Sequence, residues 1–168
     1  EIEIYASVAP WQHVRPLGED LVSTELVLPE NHSIRATDLG ALAAGGLSVV
    51  PVRRRPRVAI MPTGSELVPV GESLEAGNII ESNSLVMAHL VSEWGGSPTR
   101  LPIVRDEFDA IRGAVKDALD IYDLLVLNAG SSAGSRDYTA PVVESIGELL
   151  VHGVAIRPGH PVVLGIAE

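Results

Sequence analysis

Short uninterrupted apolar runs alternate with longer segments that carry an apolar stripe at helical spacing. Residues 57–62 (RVAIMP) and 123–127 (DLLVL) are runs of the first kind, as expected of strands covered on both faces. Residues 107–119 place Phe108, Ile111, Val115 and Leu119 three or four apart, which predicts an amphipathic helix with Asp106 as N-cap. Residues 84–94, with Leu85, Leu90 and Trp94 among their apolar positions, read as a helix stopped by Gly95-Gly96. Residues 137–146 read as a helix with Pro141 in its first turns and Gly147 at its end. Further strands are predicted at 101–104, 149–156 and 162–166. Strands separated by helices imply an α/β fold, a mostly parallel sheet flanked by helices.

The first third has another pattern. Pro10, Pro16-Leu17-Gly18 and Pro29-Glu30-Asn31 punctuate it into short pieces. Strands are expected at 1–7 and 49–52, and one short helix at 38–44, with Thr37 as N-cap and Gly45-Gly46 as its stop. This predicts a small, mostly-β segment over 1–55 and an α/β domain over 56–168. The linker falls at the cluster Arg53-Arg54-Arg55-Pro56-Arg57. Both ends of the chain lie in or beside apolar runs, so the sequence is expected to be an excerpt, with the α/β domain truncated at its C-terminus.

Composition narrows the classes. Of the 168 residues 46 % are hydrophobic and 20 % charged, which excludes a disordered chain. The absence of cysteine excludes disulfides, thiolate-bound metals and a thiol nucleophile. No apolar run approaches the length of a membrane span, and no secretory leader is visible. The net charge of −10 argues against a nucleic-acid surface. Of that total, residues 1–55 carry −2 and residues 56–168 carry −8.

The candidate chemistry lies in the loops that leave the predicted strands. After the first comes Thr63-Gly64-Ser65-Glu66, and after the second Arg105-Asp106. After the third comes Asn128-Ala129-Gly130-Ser131-Ser132-Ala133-Gly134-Ser135-Arg136-Asp137. The strand at 149–156 leads into Arg157-Pro158-Gly159-His160-Pro161. If the sheet is parallel throughout, all four loops share its carboxyl rim, where α/β proteins bind ligands. The Gly/Ser loop at 128–137 allows close backbone approach and runs into a helix N-terminus, which suits a phosphate; a plain flexible connection fits it as well. It is neither a Walker A loop nor GxGxxG. Arg157 and His160 suit an oxyanion, or simply a tight turn. Asp137 could ligate a hard cation or oppose the helix dipole. His13, His32, His89 and His152 show no metal-ligand spacing.

Taken in order, these segments resemble the molybdopterin molybdenumtransferase family (MoeA and the gephyrin E domain). The resemblance is carried by residues 10–20 (PWQHVRPLGED), 36–46 (ATDLGALAAGG), 55–60 (RPRVAI) and Thr63-Gly64-Ser65-Glu66-Leu67. It continues through residues 78–83, 103–106, 130–138 and 157–161. It implies a mostly-β segment ahead of a MogA-like molybdopterin-binding α/β domain. It implies binding of adenylylated molybdopterin, with Mg²⁺ as the divalent cation, and insertion of molybdate with release of AMP. It also implies a cytoplasmic homodimer whose partners are molybdopterin and molybdate, with no nucleic acid and no membrane. Carried over residue by residue, Thr63, Gly64, Ser65, Gly130, Ser131, Ser132, Gly134, Ser135, Pro158 and Gly159 become cofactor-binding positions. Glu66, Asp137, Arg157 and His160 become catalytic positions, and Asp137, Glu66 and Asp106 metal ligands.

Three departures stand against the family pattern. Its Thr-Gly-Asp-Glu-Leu reads Ser65 in place of Asp. Its Lys-Pro-Gly-Lys-Pro reads Arg157 and His160 in place of both lysines. Its Ser-Gly-Gly-x-Ser-x-Gly reads Ala129 in place of a glycine. Ser65 cannot hold a cation as a carboxylate would, and His160 does not carry the fixed charge of a lysine. Besides the transferase, two readings stay open: a non-catalytic molybdopterin-binding module, and a molybdopterin adenylyltransferase-like domain.

Overall fold

The apolar run at 57–62 is a strand, β1 (Arg57–Pro62), in which every residue after Arg57 is buried. In the computed structural model, which describes residues 2–129 and 138–167, β1 is the centre of a three-stranded parallel sheet. The chain divides into two compact units, Glu1–Arg53 and Arg54–Glu168. In the first, α1 (Ala36–Ala44) is the one helix or strand among the described residues. The expected strands at 1–7 and 49–52, and with them the mostly-β character of 1–55, are not found there. β-forming side chains make a strand only where a neighbouring strand takes up the backbone groups, and these segments have none. The cap of α1 is Arg35 rather than Thr37, because Asp38 accepts the Arg35 backbone N–H at 2.8 Å and fixes the turn earlier.

The second unit holds the remaining elements. These are β2 (Leu67–Val68), β3 (Ile79–Ile80), α2 (Asn83–Glu93), β4 (Ser97–Arg100), α3 (Phe108–Leu119), β5 (Leu124–Asn128), α4 (Thr139–Ile146), β6 (Gly147–His152) and β7 (Val163–Ala167). The sheet order is β4-β1-β5, with Ile60 opposite Arg100 on one side and Pro62 opposite Asn128 on the other. The expected strand at 101–104 lies earlier in the chain, in the polar Ser97-Pro98-Thr99-Arg100. β4 pairs only with β1, and an edge strand tolerates proline and polar side chains that a central one does not. Helix α3 is capped by Glu107, not Asp106.

Alternation along β1 sends its side chains to two layers. Ala59 and Met61 join Ile111, Val115 and Ala118 of α3 and Val142 of α4 in one buried cluster. Val58 and Ile60, also buried, face the other way, where α2 packs on the strand. This is the expected parallel sheet flanked by helices. The last two strands depart from it: β6 and β7 pair antiparallel as a sheet of their own. No helix among the described residues is long and apolar enough to cross a membrane.

Candidate functional site

The carboxyl end of the central strand gathers three segments. The Thr63 N–H donates to the Asn128 carbonyl at 2.9 Å, tying the end of β1 to the end of β5. The Gly64 N–H donates to the Val104 carbonyl at 3.0 Å, and Thr63 and Val104 form a parallel bridge. The Asp106 N–H reaches the Ser65 hydroxyl at 3.4 Å. Residues 63–66, 104–106 and 128–129 therefore share one rim, as a parallel sheet requires of strands that end together.

One feature of this rim has no packing explanation. The Thr63 side chain is 1 % exposed, and its hydroxyl has no hydrogen-bond partner among the described residues. An unmade hydrogen bond on a buried hydroxyl costs about 1–3 kcal/mol. Gly64 sits at φ +154, where an added Cβ would lie 2.9 Å from Leu67 Cγ and 3.2 Å from Glu66 Oε2. Only glycine fits there, with the Glu66 carboxylate folded back over its backbone. The carbonyl of Glu66 accepts the Ile79 N–H at 2.9 Å, so β3 anchors the turn from below.

That anchor rests on a buried polar network. Glu81, 4 % exposed, accepts the Ser84 N–H at 2.7 Å and the Ser84 hydroxyl at 2.5 Å. Arg100 Nε donates to Ser84 Oγ at 2.7 Å, and its guanidinium stands 3.5 Å from Glu81 Oε2. Burial pushes the Glu81 carboxyl up, but the Ser84 donors and Arg100 outweigh it and hold the group below its ordinary range. The network clamps the start of α2 to the end of β4, beside the rim. Its one trace in the sequence is an acidic residue three positions before Ser84, at a helix start.

The fourth loop does not obey the parallel-sheet argument. Because β6 runs antiparallel to β7, residues 157–161 form the connection of a hairpin rather than a crossover from the rim. Inside it the His160 ring pairs through Nδ1 with the Val154 carbonyl at 2.7 Å, and the Val154 N–H donates to the His160 carbonyl at 3.0 Å. Arg157, Pro158 and Gly159 are exposed. His160 does line a broad cleft of about 2590 Å³ that Asn128 and Ala129 also border. The cleft exceeds the ~300–1,000 Å³ of a small-molecule pocket, and residues 63–66 are not in its wall.

Gly130, Ser131, Ser132, Gly134, Ser135 and Asp137 lie outside the described residues. Of the expected metal ligands, Glu66 and Asp106 are on the rim. Among the described residues no group of three or more His, Asp or Glu side chains is placed to hold a metal.

Residues 59–167 match the family described as "Probable molybdopterin binding domain". A molybdopterin molybdenumtransferase of Nostoc sp. is 35 % identical over 159 residues, covering 94 % of this chain and 36 % of the relative. A molybdopterin molybdenumtransferase of Bacillus subtilis is 34 % identical over 148 residues, covering 88 % and 34 %. The crystal structure of a molybdopterin biosynthesis MoeA protein from Pyrococcus horikosii superposes with a TM-score of 0.77 at 31 % identity, covering 90 % of this chain and 37 % of that one. The chain thus spans little more than a third of the length of these relatives.

Proposed function

The chain belongs to the molybdopterin-binding domain family, and from that premise we propose that it binds molybdopterin at the carboxyl rim of its parallel sheet, as part of molybdenum cofactor biosynthesis. The observation that carries the reading is the rim itself: an orphaned, buried Thr63 hydroxyl on the turn that also carries Ser65 and Glu66. An unpartnered hydroxyl at this rim fits a ligand that brings a hydrogen-bonding oxygen to it.

The ligand in this reading is adenylylated molybdopterin, and the reaction inserts molybdate and releases AMP. The chain's share of that work is positioning and charge. Thr63 and Ser65 offer hydroxyls, Gly64 allows the turn that brings them together, and Glu66 and Asp106 offer carboxylates on the same rim. Residues 130–135 are assigned to the phosphate through their glycines and hydroxyls, and Asp137 to the cation. Two carboxylates with substrate oxygens are a sufficient donor set for Mg²⁺, which when bound neutralises phosphate charge. Arg157 and His160 are assigned to the oxyanion, with Pro158 and Gly159 shaping their turn; the cleft shared by His160 and Asn128 supports this for His160. The relatives' names support the transferase over the adenylyltransferase reading. A site completed by a second copy, in a cytoplasmic homodimer, belongs to the same proposal.

Ser65 keeps the alternative of binding without turnover open to experiment. Incubation with adenylylated molybdopterin, molybdate and Mg²⁺ releases AMP if the chain is a transferase. AMP release at the uncatalysed rate, with the ligand bound, contradicts catalysis and leaves a binding module. Restoring the family carboxylate with Ser65→Asp then raises the rate if the lost cation ligand is the cause.

A further inference from the structure

The opposite end of the sheet carries a second concave site. Arg57 opens β1 and Ser97 opens β4, and the two stand opposite each other in the ladder. Six residues of β1 separate them from the rim, about 20 Å of strand. Arg54, Arg55, Arg57 and Ser97 line a shallow, open depression there. One carboxylate lies among the three guanidiniums. Asp123 takes both terminal nitrogens of Arg54, accepts the Arg57 N–H at 2.7 Å, and stands 3.5 Å from the Arg57 side chain. Arg55 and the Ser97 hydroxyl have no partner among the described residues. The local balance is therefore positive, in a unit that is otherwise strongly acidic.

We propose that this concavity binds a compact, multiply charged phosphate anion of the pyrophosphate class, independently of the carboxyl rim. Three observations select that class. The depression is shallow and lined by four residues, which suits a compact ligand and not a protein segment. Guanidinium forks match the oxygen geometry of phosphate groups, and the Asp123 clasp fixes Arg54 and the backbone at Arg57 before any ligand arrives, which lowers the ordering cost of binding. No aromatic side chain lines the site, so it offers a nucleic-acid base nothing to stack on, and the acidic remainder of the chain repels an extended polyanion.

The test is calorimetric titration of the full chain with sodium pyrophosphate at low and at moderate salt. The expected result is saturable, salt-sensitive binding, weakened at least tenfold in Arg55→Gln and in Arg57→Gln and unchanged in Arg112→Gln on α3. Arg55 makes no hydrogen bond or ion pair among the described residues, so its variant is expected to keep the fold, and a urea melt verifies this for both arginine variants. The proposal is overturned by the absence of saturable binding to the unaltered chain. It is equally overturned by binding that Arg55→Gln and Arg57→Gln leave unchanged, or that Arg112→Gln weakens as much, either of which would place the anion elsewhere. Tighter binding of a single-stranded oligonucleotide than of pyrophosphate would also overturn it. None of these outcomes bears on molybdopterin binding.

Discussion

Glu81 and Asp123 show how single carboxylates hold this unit together. Removing the Glu81 side chain leaves the buried Ser84 donors and the Arg100 guanidinium without their acceptor. Glu81→Ala is expected to cost about 3 kcal/mol, in the range for breaking a buried pair, read as a lower urea midpoint at unchanged slope. Asp123 is held well below the ordinary carboxylate range, first by its hydrogen bonds to Arg54, then by the Arg57 N–H. Both carboxyls are thus lower in the folded chain than in the unfolded one. Their stabilisation is complete above about pH 4, the unfolded value, and is lost as pH falls through the folded values. Thermal melts from about pH 7 to about pH 2.5 should show a falling acid limb, and Asp123→Asn should flatten it. An Asp123→Asn limb as steep as that of the unaltered chain would mean that the Arg54 clasp is too solvated to matter. By sequence alone, Asp123 falls inside a strand and the arginines form a solvated linker. The pairing of Arg54 with Asp123 spans 69 residues, and no local pattern reports such a contact.

At the scale of elements, the legible parts are those with a strong period or an unbroken apolar run. β1 and α3 are evident from Val58 to Met61 and from the stripe Phe108, Ile111, Val115 and Leu119, because burial on one or two faces leaves its mark in the sequence. Ile111 is 3 % exposed in the cluster beneath β1. Ile111→Ala should cost about 3 kcal/mol through the lost burial and the cavity left behind, measured by chemical denaturation. A cost under about 1 kcal/mol would mean that α3 does not close the core. Pairing is the illegible part. β4 carries no apolar signature because it is an edge, and the direction of β6 against β7 cannot be read from composition. That direction decides whether residues 157–161 share the rim. The rim position of Thr63, Ser65 and Asp106 is legible, since it comes from parallel strands ending together. The Glu81 network and the orphaned Thr63 hydroxyl are not, because burial of a polar atom shows only in three dimensions.

For the molecule as a whole, the parallel sheet separates two ends of opposite character. The carboxyl end gathers glycine, hydroxyls and carboxylates around a buried hydroxyl with no described partner; the amino end concentrates arginines around one aspartate. The match over residues 59–167 places the chain in the molybdopterin-binding domain family, and the first of these ends is the proposed site. Titration of the chain with molybdopterin, with and without Mg²⁺, beside Thr63→Val and Glu66→Gln variants tests that link most directly. Saturable binding, weakened about tenfold by Thr63→Val through loss of one hydrogen bond worth about 1.4 kcal/mol, is the predicted result. Glu66→Gln should remove most of the Mg²⁺ dependence. A folded chain that binds no molybdopterin, or binds it equally well in both variants, would contradict the assignment of the carboxyl rim as the site.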